Sequence, residues 1–158
     1  MGRLRPADLV AGAGGLALLA AMFLHWYALS VEVLATGGPS RPIEFTAWQS
    51  FSVLDVVLAA LALVPLALVV TQATRESPAL PVLFSVLTMC AGALAALLIL
   101  YRIANQPGPN AAIEVQAGAW LGLLAAVIVA AGGWRSIRDE RMPGNAPRPV
   151  EHMPAPTP

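Results

Sequence analysis

VLDVVLAALALVPLALVVT, residues 53–71, decides how this chain is read. Only Asp55, near its start, carries a charge, and Pro65 is its only helix breaker. A membrane-spanning helix needs about 20 mostly apolar residues, and this stretch has that length and character. Pro65 removes an amide donor and frees the carbonyl of Leu61, which is tolerated where a neighbouring helix covers the break.

Three more runs match it. They lie at about 9–29, 81–101 and 115–134, and the segments between them collect Gly, Pro and most of the charges. Across the whole chain 58% of residues are hydrophobic and 11% are charged. A soluble domain carries roughly 25% charged residues, so this chain lacks the polar groups to cover a water-facing surface. The expected fold is an all-α membrane protein, a four-transmembrane-helix antiparallel bundle. Arg3 and Arg5 before the first run resemble a signal-peptide start, but the apolar stretch from Leu9 to Leu24 is longer than such peptides use, and the bulky His25-Trp26-Tyr27 follows it. A retained first span is the reading adopted.

Every basic residue is Arg. Arg3, Arg5, Arg75, Arg135, Arg138, Arg141 and Arg148 fall on one side of the spans, and Arg41 and Arg102 on the other. Basic residues accumulate in the cytoplasm, which places both termini there. Dominance of Ala, Gly, Pro, Val and Leu is typical of a GC-rich bacterial genome, so the expected location is a bacterial plasma membrane. Residues 136–158, rich in proline, read as a disordered cytoplasmic tail.

The long connection, 30–52, has strand character. Val31, Val33 and Ala35 alternate with other residues, Gly37-Gly38-Pro39-Ser40 is a turn cluster, and Ile43, Phe45 and Ala47 alternate after it. That pattern predicts a short extracellular β-hairpin between helices 1 and 2. Phe23, Trp26, Tyr27, Phe45, Trp48, Phe51, Tyr101 and Trp120 gather toward the same outer side, against Phe84 and Trp134 on the inner. Aromatic belts normally occupy both interfaces, so the excess points to a cluster packing the hairpin on the helices. Of this set Trp26, Tyr27, Phe45, Trp48, Phe51, Tyr101 and Trp120 form the candidate outer aromatic face. It would bind a partner protein or membrane lipid.

His25, Asp55, Arg102 and Glu114 end or begin spans at the same level and form a candidate polar cluster for an ion, a proton or a small ligand. Each also has an ordinary explanation. His25 and Arg102 can reach the interface by extension, and Ser52-x-x-Asp55 is a capping pattern. Small residues recur every fourth position at Gly118, Gly122, Ala126 and Ala130, at Thr88, Gly92 and Ala96, and at Ala7, Ala11 and Gly15. Such stripes let membrane helices approach closely, either within the bundle or in a homo-oligomer through the fourth span.

Catalytic and cofactor motifs are absent. There is no HExxH, no Cys/His cluster, no GxSxG and no P-loop, and no cofactor is expected. The formal net charge of zero gives no attraction to nucleic acid. The leading expectation is a non-enzymatic partner- or lipid-binding component, and the rival is a small transporter or channel subunit using the outer polar cluster.

FLHWYALSVEV at 23–33, FTAWQSFSVLDVV at 45–57, the Tyr101-Arg102 pair and GAWLGLLAAVIVAAGGWRSIRDE at 118–140 together resemble a group of small actinobacterial four-span membrane proteins. The resemblance covers residues 1–142. It implies a membrane location and no activity. The layout is also similar to the claudin plan, by architecture alone, because the paired cysteines of that loop are missing: Cys90 is the only cysteine.

Overall fold

The computed structural model describes residues 6–29, 43–50, 53–74, 81–108 and 112–140, without the side chains of 81, 82, 139 and 140. The elements in chain order are α1 (Pro6–Ala21), β1 (His25–Leu29), β2 (Glu44–Thr46), α2 (Ala47–Ser50), α3 (Leu54–Thr74), α4 (Pro81–Ala104), β3 (Ile113–Val115) and α5 (Ala117–Glu140). Three stretches, Leu54–Thr74, Leu83–Ala104 and Ala117–Arg138, are helices long and apolar enough to cross a membrane, and α1 is a shorter apolar helix.

The four longer helices pack in a ring. Each lies against its neighbour in sequence, and α5 closes against α1. Glycines set the closeness of two of these contacts. A Cβ on Gly92 would collide with the Ala130 backbone, and one on Gly132 would lie 2.8 Å from the Ala11 amide nitrogen. The α1–α5 pairing runs antiparallel. Ala11 meets Gly132, Gly14 meets Val129, and the His25 carbonyl meets Gly118. The α4–α5 pairing is antiparallel too, with Ser85 opposite Ser136 and Ile99 beside Gly122.

Pro65 is buried inside an uninterrupted α3. Its ring and the Ala62 carbonyl face Gly15 of α1. The neighbouring helix therefore packs closely on α3 at the proline, and no side chain at Gly15 stands in the way.

The first apolar run departs most from the sequence reading. The helix stops at Ala21 and residues 25–29 form a strand, so the expected span over 9–29 is not one helix. Two tightened turns end it, Phe23 N–H to the Ala20 carbonyl and Leu24 N–H to that of Ala21, both 3.1 Å. Trp26 then folds back and its Nε1–H donates to the Ala21 carbonyl at 2.7 Å, which satisfies one of the carbonyls that a helix end leaves open. The indole is completely buried against Gly118 and Gly122. The 16 residues of α1 rise about 24 Å, short of the roughly 30 Å of a bilayer's hydrocarbon core.

The fold is thus not all-α. β1 is the centre of a three-stranded antiparallel sheet in the order β2-β1-β3. The expected second strand is present in part as β2, and it pairs with residues 25–28, which the sequence reading assigned to the span. Ala47, expected to continue the second strand, starts α2. Val31 to Ala35 and the turn at 37–40 lie outside the described residues, as do Phe51 and Ser52. β3 was not anticipated. Three residues before a helix are too few for alternation to register. The register Tyr27↔Phe45, Tyr27↔Val115 and Leu29↔Ile113 places these side chains on one face, where Tyr27, Phe45, Ile113 and Val115 join the core. Ala28 stands on the other face between Glu44 and Glu114.

α5 also runs past the expected end of the membrane domain at 135 and continues to Glu140. Ser136, assigned to the tail on sequence grounds, is fully buried. Residues from 141 lie outside the described residues.

Candidate functional site

The sheet end holds His25, Asp55, Arg102 and Glu114 and the described members of the aromatic face. Strand geometry positions His25, at the start of β1, and its Nδ1 lies 3.1 Å from the Glu44 carboxylate on β2. Both side chains are well exposed. Glu114, on β3, is exposed as well. Asp55 sits in the first turn of α3, 7% exposed, and its Oδ1 accepts from the adjacent Val56 N–H at 2.7 Å. A carboxylate there is favoured by the amide groups that a helix start leaves unpaired. Arg102 lies in the last turn of α4, half-buried, and its carbonyl accepts from the Tyr27 hydroxyl at 3.1 Å.

Two of these carboxylate or imidazole groups have a side-chain bond among the described residues, His25 to Glu44 and Asp55 to the Val56 amide. His25 meets Glu44 rather than another member of the proposed set. No group of three His, Cys, Asp or Glu among the described residues is arranged to hold a metal ion.

The aromatic face divides in two. Trp26 and Tyr27 are fully buried, and Phe45 is partly so. Trp48, Tyr101 and Trp120 are exposed, and so is Phe23, whose ring is 5.9 Å from that of Trp48. The first group fixes the sheet to the helices. The second surrounds that end of the bundle and is free for contact outside the chain. Tyr27 lies on the strand, beyond the end of α1. Burial pushes its hydroxyl from the ordinary 10.0 up to about 12, and the Arg102 charge partly offsets the rise.

The small-residue stripe on α5 faces inward. Gly118 and Gly122 receive Trp26, Ala126 is fully buried, and Ala130 meets Gly92. Leu121, Leu124 and Val127 are exposed on the other side of that helix.

A second polar group, at the far end of the bundle, escaped the sequence reading. Asp8 in the first turn of α1 is completely buried. Ser136 Oγ of α5 donates to its Oδ1 at 2.8 Å, and Ser85 Oγ of α4 is 2.9 Å from Ser136 Oγ. Since Ser136 has one proton and gives it to Asp8, Ser85 is the donor to Ser136. Both serines are completely buried too. One carboxyl and two hydroxyls thus join three helices. One turn along α4 from Ser85, Thr88 is also 0% exposed, and its Oγ1 has no hydrogen-bond partner among the described residues. The signal was present. Asp8 follows Ala7 of the α1 stripe, and Thr88 begins the α4 stripe, so each belongs to a packing face. Asp8 was hidden because it borders the apolar run and reads as a flank.

No family model, curated protein or solved structure matches this chain, so functional inference rests on these residues alone.

Proposed function

We propose that the chain is a multi-pass membrane protein of the bacterial plasma membrane that crosses four times with both termini in the cytoplasm. It acts without enzymatic chemistry, binding a partner protein or lipid through its sheet end. The observation that carries the membrane assignment is the outside of the bundle. Leu63 and Val70 of α3, Leu83, Leu87, Leu94 and Leu97 of α4, and Leu124 and Val127 of α5 all stand exposed. Helices apolar on their outer as well as inner faces belong in lipid rather than water.

Aromatic residues mark the two edges of this surface. Tyr101 and Trp120 are exposed near the sheet end and Trp134 near the other. Trp120 and Trp134 are separated by about 21 Å of helix rise, which suits side chains placed at two interfaces. Four crossings are supported by the pairing of α1 with α5. From Asp8 beside Ser136 to His25 beside Gly118, the first segment follows about 27 Å of α5, because the turn and the start of β1 extend the short helix. The arginine distribution gives the orientation.

Partner binding is assigned to the sheet end because exposed aromatic rings and exposed charges lie side by side there: Phe23, Trp48, Tyr101 and Trp120 with His25, Glu44 and Glu114. Recognition surfaces combine rings with a polar surround. The rival transporter reading receives less support, since His25 and Asp55 each have a local partner. A second copy of the chain would meet α5 on its Leu121, Leu124 and Val127 face, because Gly118, Gly122, Ala126 and Ala130 are used within the bundle.

Labelling of single cysteines in a Cys90→Ala background tests the topology. A membrane-impermeant maleimide should reach positions 44 and 114 in intact cells, and position 138 only after permeabilisation. Labelling of 44 and 138 from the same side would refute the topology. Affinity purification from native membranes then tests the binding face. Trp48→Ala should lose the co-purifying protein or lipid with the topology unchanged, and retention would remove the aromatic face from consideration.

A further inference from the structure

Given the membrane placement proposed above, we infer that phospholipid, rather than a partner protein, covers the exposed rings of the sheet end, and that Trp48 seats α2 on the bilayer surface. Each of the four longer helices carries an exposed apolar stripe. On α4 it runs through Leu83, Leu87, Leu94, Leu97 and Tyr101, and on α5 through Trp120, Leu124, Val127 and Trp134. On α3 it runs through Val56, Leu63 and Val70. On α1 it runs through Leu9 and Leu16, and Phe23, in the tightened turn that ends the helix, is the next step. Steps of three, four and seven keep a stripe on one side of a helix.

The four stripes therefore reach the sheet end as Phe23, Val56, Tyr101 and Trp120. Phe23 lies just beyond Ala21, Val56 and Trp120 are in the first turns of α3 and α5, and Tyr101 is in the last turn of α4. All four thus stand at about one level. Because the helices close into a ring, they face outward on all sides of it. A protein partner covers one patch, about 800 Å² of each surface in a standard interface. A bilayer meets every side at once. The stripes are also continuous. Whatever covers Leu97 and Leu124 passes without a break onto Tyr101 and Trp120, one turn along.

Chemistry changes at that turn in the way a bilayer does. Tyr101 and Trp120 carry a polar group on an apolar ring, which suits the headgroup level. Glu44 and Glu114, exposed opposite Ala28 on the sheet face turned from the core, stand where water begins, since carboxylates are costly in hydrocarbon. Trp48 belongs to no span, yet its ring lies 5.9 Å from that of Phe23. It is exposed and shares the level at which the α1 stripe ends, which brings α2 to the same boundary.

Spin labelling of the full chain in vesicles of phosphatidylethanolamine and phosphatidylglycerol tests this. Phe23→Cys, Trp48→Cys and Trp120→Cys are made one at a time in a Cys90→Ala background, and each carries a nitroxide. Collision with oxygen, which concentrates in lipid, is compared with collision with a water-soluble nickel chelate. Leu94→Cys, within its stripe, and Glu114→Cys, on the outward sheet face, are the references. The oxygen-to-nickel ratio at 23, 48 and 120 should be severalfold above that at 114 and below that at 94. A ratio at 23 or 48 equal to that at 114 would overturn the inference and leave the rings to a protein partner. A nickel-dominated signal at 94 would instead remove the membrane placement itself, so the two failures are told apart. Phe23 is 68% exposed, so its replacement should leave the fold intact, and position 23 decides if Trp48→Cys fails to reconstitute.

Discussion

The two ends of this bundle handle polar groups in opposite ways. At the sheet end, His25, Glu44 and Glu114 face solvent while Trp26 and Tyr27 are buried. At the far end, Asp8, Ser85 and Ser136 are buried while Trp134, Arg135 and Arg138 are exposed. Backbone geometry explains the contrast. A strand sends alternate side chains to opposite faces, so Glu44 and Glu114 point away from the core merely by standing opposite Ala28. A helix packed on both sides offers Asp8 no such exit, and the Ser136 hydroxyl of another helix bonds it inside the bundle. Charge at the sheet end is therefore cheap to change, and charge at the far end is not.

The largest effect is expected where the sheet is anchored. Trp26→Ala empties a fully buried site against Gly118 and Gly122 and leaves the Ala21 carbonyl without its indole donor. A loss of about 3–5 kcal/mol is expected, measurable by denaturant unfolding in mixed micelles. A loss below about 1 kcal/mol would show that α1 ends without help from Trp26.

Asp8→Ala comes next. It removes the acceptor of a buried, charge-assisted bond and strands Ser136, for an expected loss of about 2–3 kcal/mol. The double variant Ser85→Ala/Ser136→Ala measures the coupling. Its cost should fall when Asp8 is already Ala, because the three groups form one chain. Strict additivity would mean that they do not.

The Tyr27 hydroxyl gives a pH-dependent contrast. Its proton is held more tightly in the folded chain, at about 12 against 10.0. The folded state then binds more protons than the unfolded state between these values, so stability falls as pH rises. The contribution is intact below pH 10 and is lost on the way to about 12. In a Tyr101→Phe background, where Tyr27 is the last tyrosine, tyrosinate absorbance should rise only near pH 12. Ionisation at pH 10 would mean that the ring is open to water. Tyr27→Phe should cost about 1 kcal/mol.

Much of this architecture is written in the chain's apolar pattern, and what is missing from it has physical causes. The three long helices follow from runs that nothing interrupts, and even Pro65 stays inside one. The strand at 44–46 was legible from the alternation of Ile43, Phe45 and Ala47, but its partner at 25–28 was not. The end of α1 was not, because Met22 to Leu29 are apolar except for His25, and composition cannot separate a helix from a strand buried in the same core. Trp26, Tyr27 and Trp48 were read as one face, yet strand alternation and the indole's return to Ala21 separate them. Asp8 was missed for a related reason. Its environment is made by Ser85 and Ser136, which are remote in sequence and innocuous alone.

The smallest effects should come from the charged residues of the sheet end, and Asp55 tests the contrast most severely, since it is 7% exposed and yet belongs to that end. Its visible partner is the neighbouring Val56 N–H, a local bond that an asparagine oxygen can also accept. Asp55→Asn therefore loses only the favourable meeting of a negative charge with a helix start, about 0.3–1 kcal/mol. Glu44→Gln, in an exposed pair with His25, should cost less than about 1 kcal/mol. Asp55→Asn should leave co-purification from native membranes unchanged. If Asp55→Asn instead costs as much as Asp8→Ala, its carboxylate is compensated by a charge that the capping geometry does not account for. If it abolishes a binding or transport signal at normal expression, the sheet end contains a functional acid, and the division between an outward-facing and an inward-facing end fails at that residue.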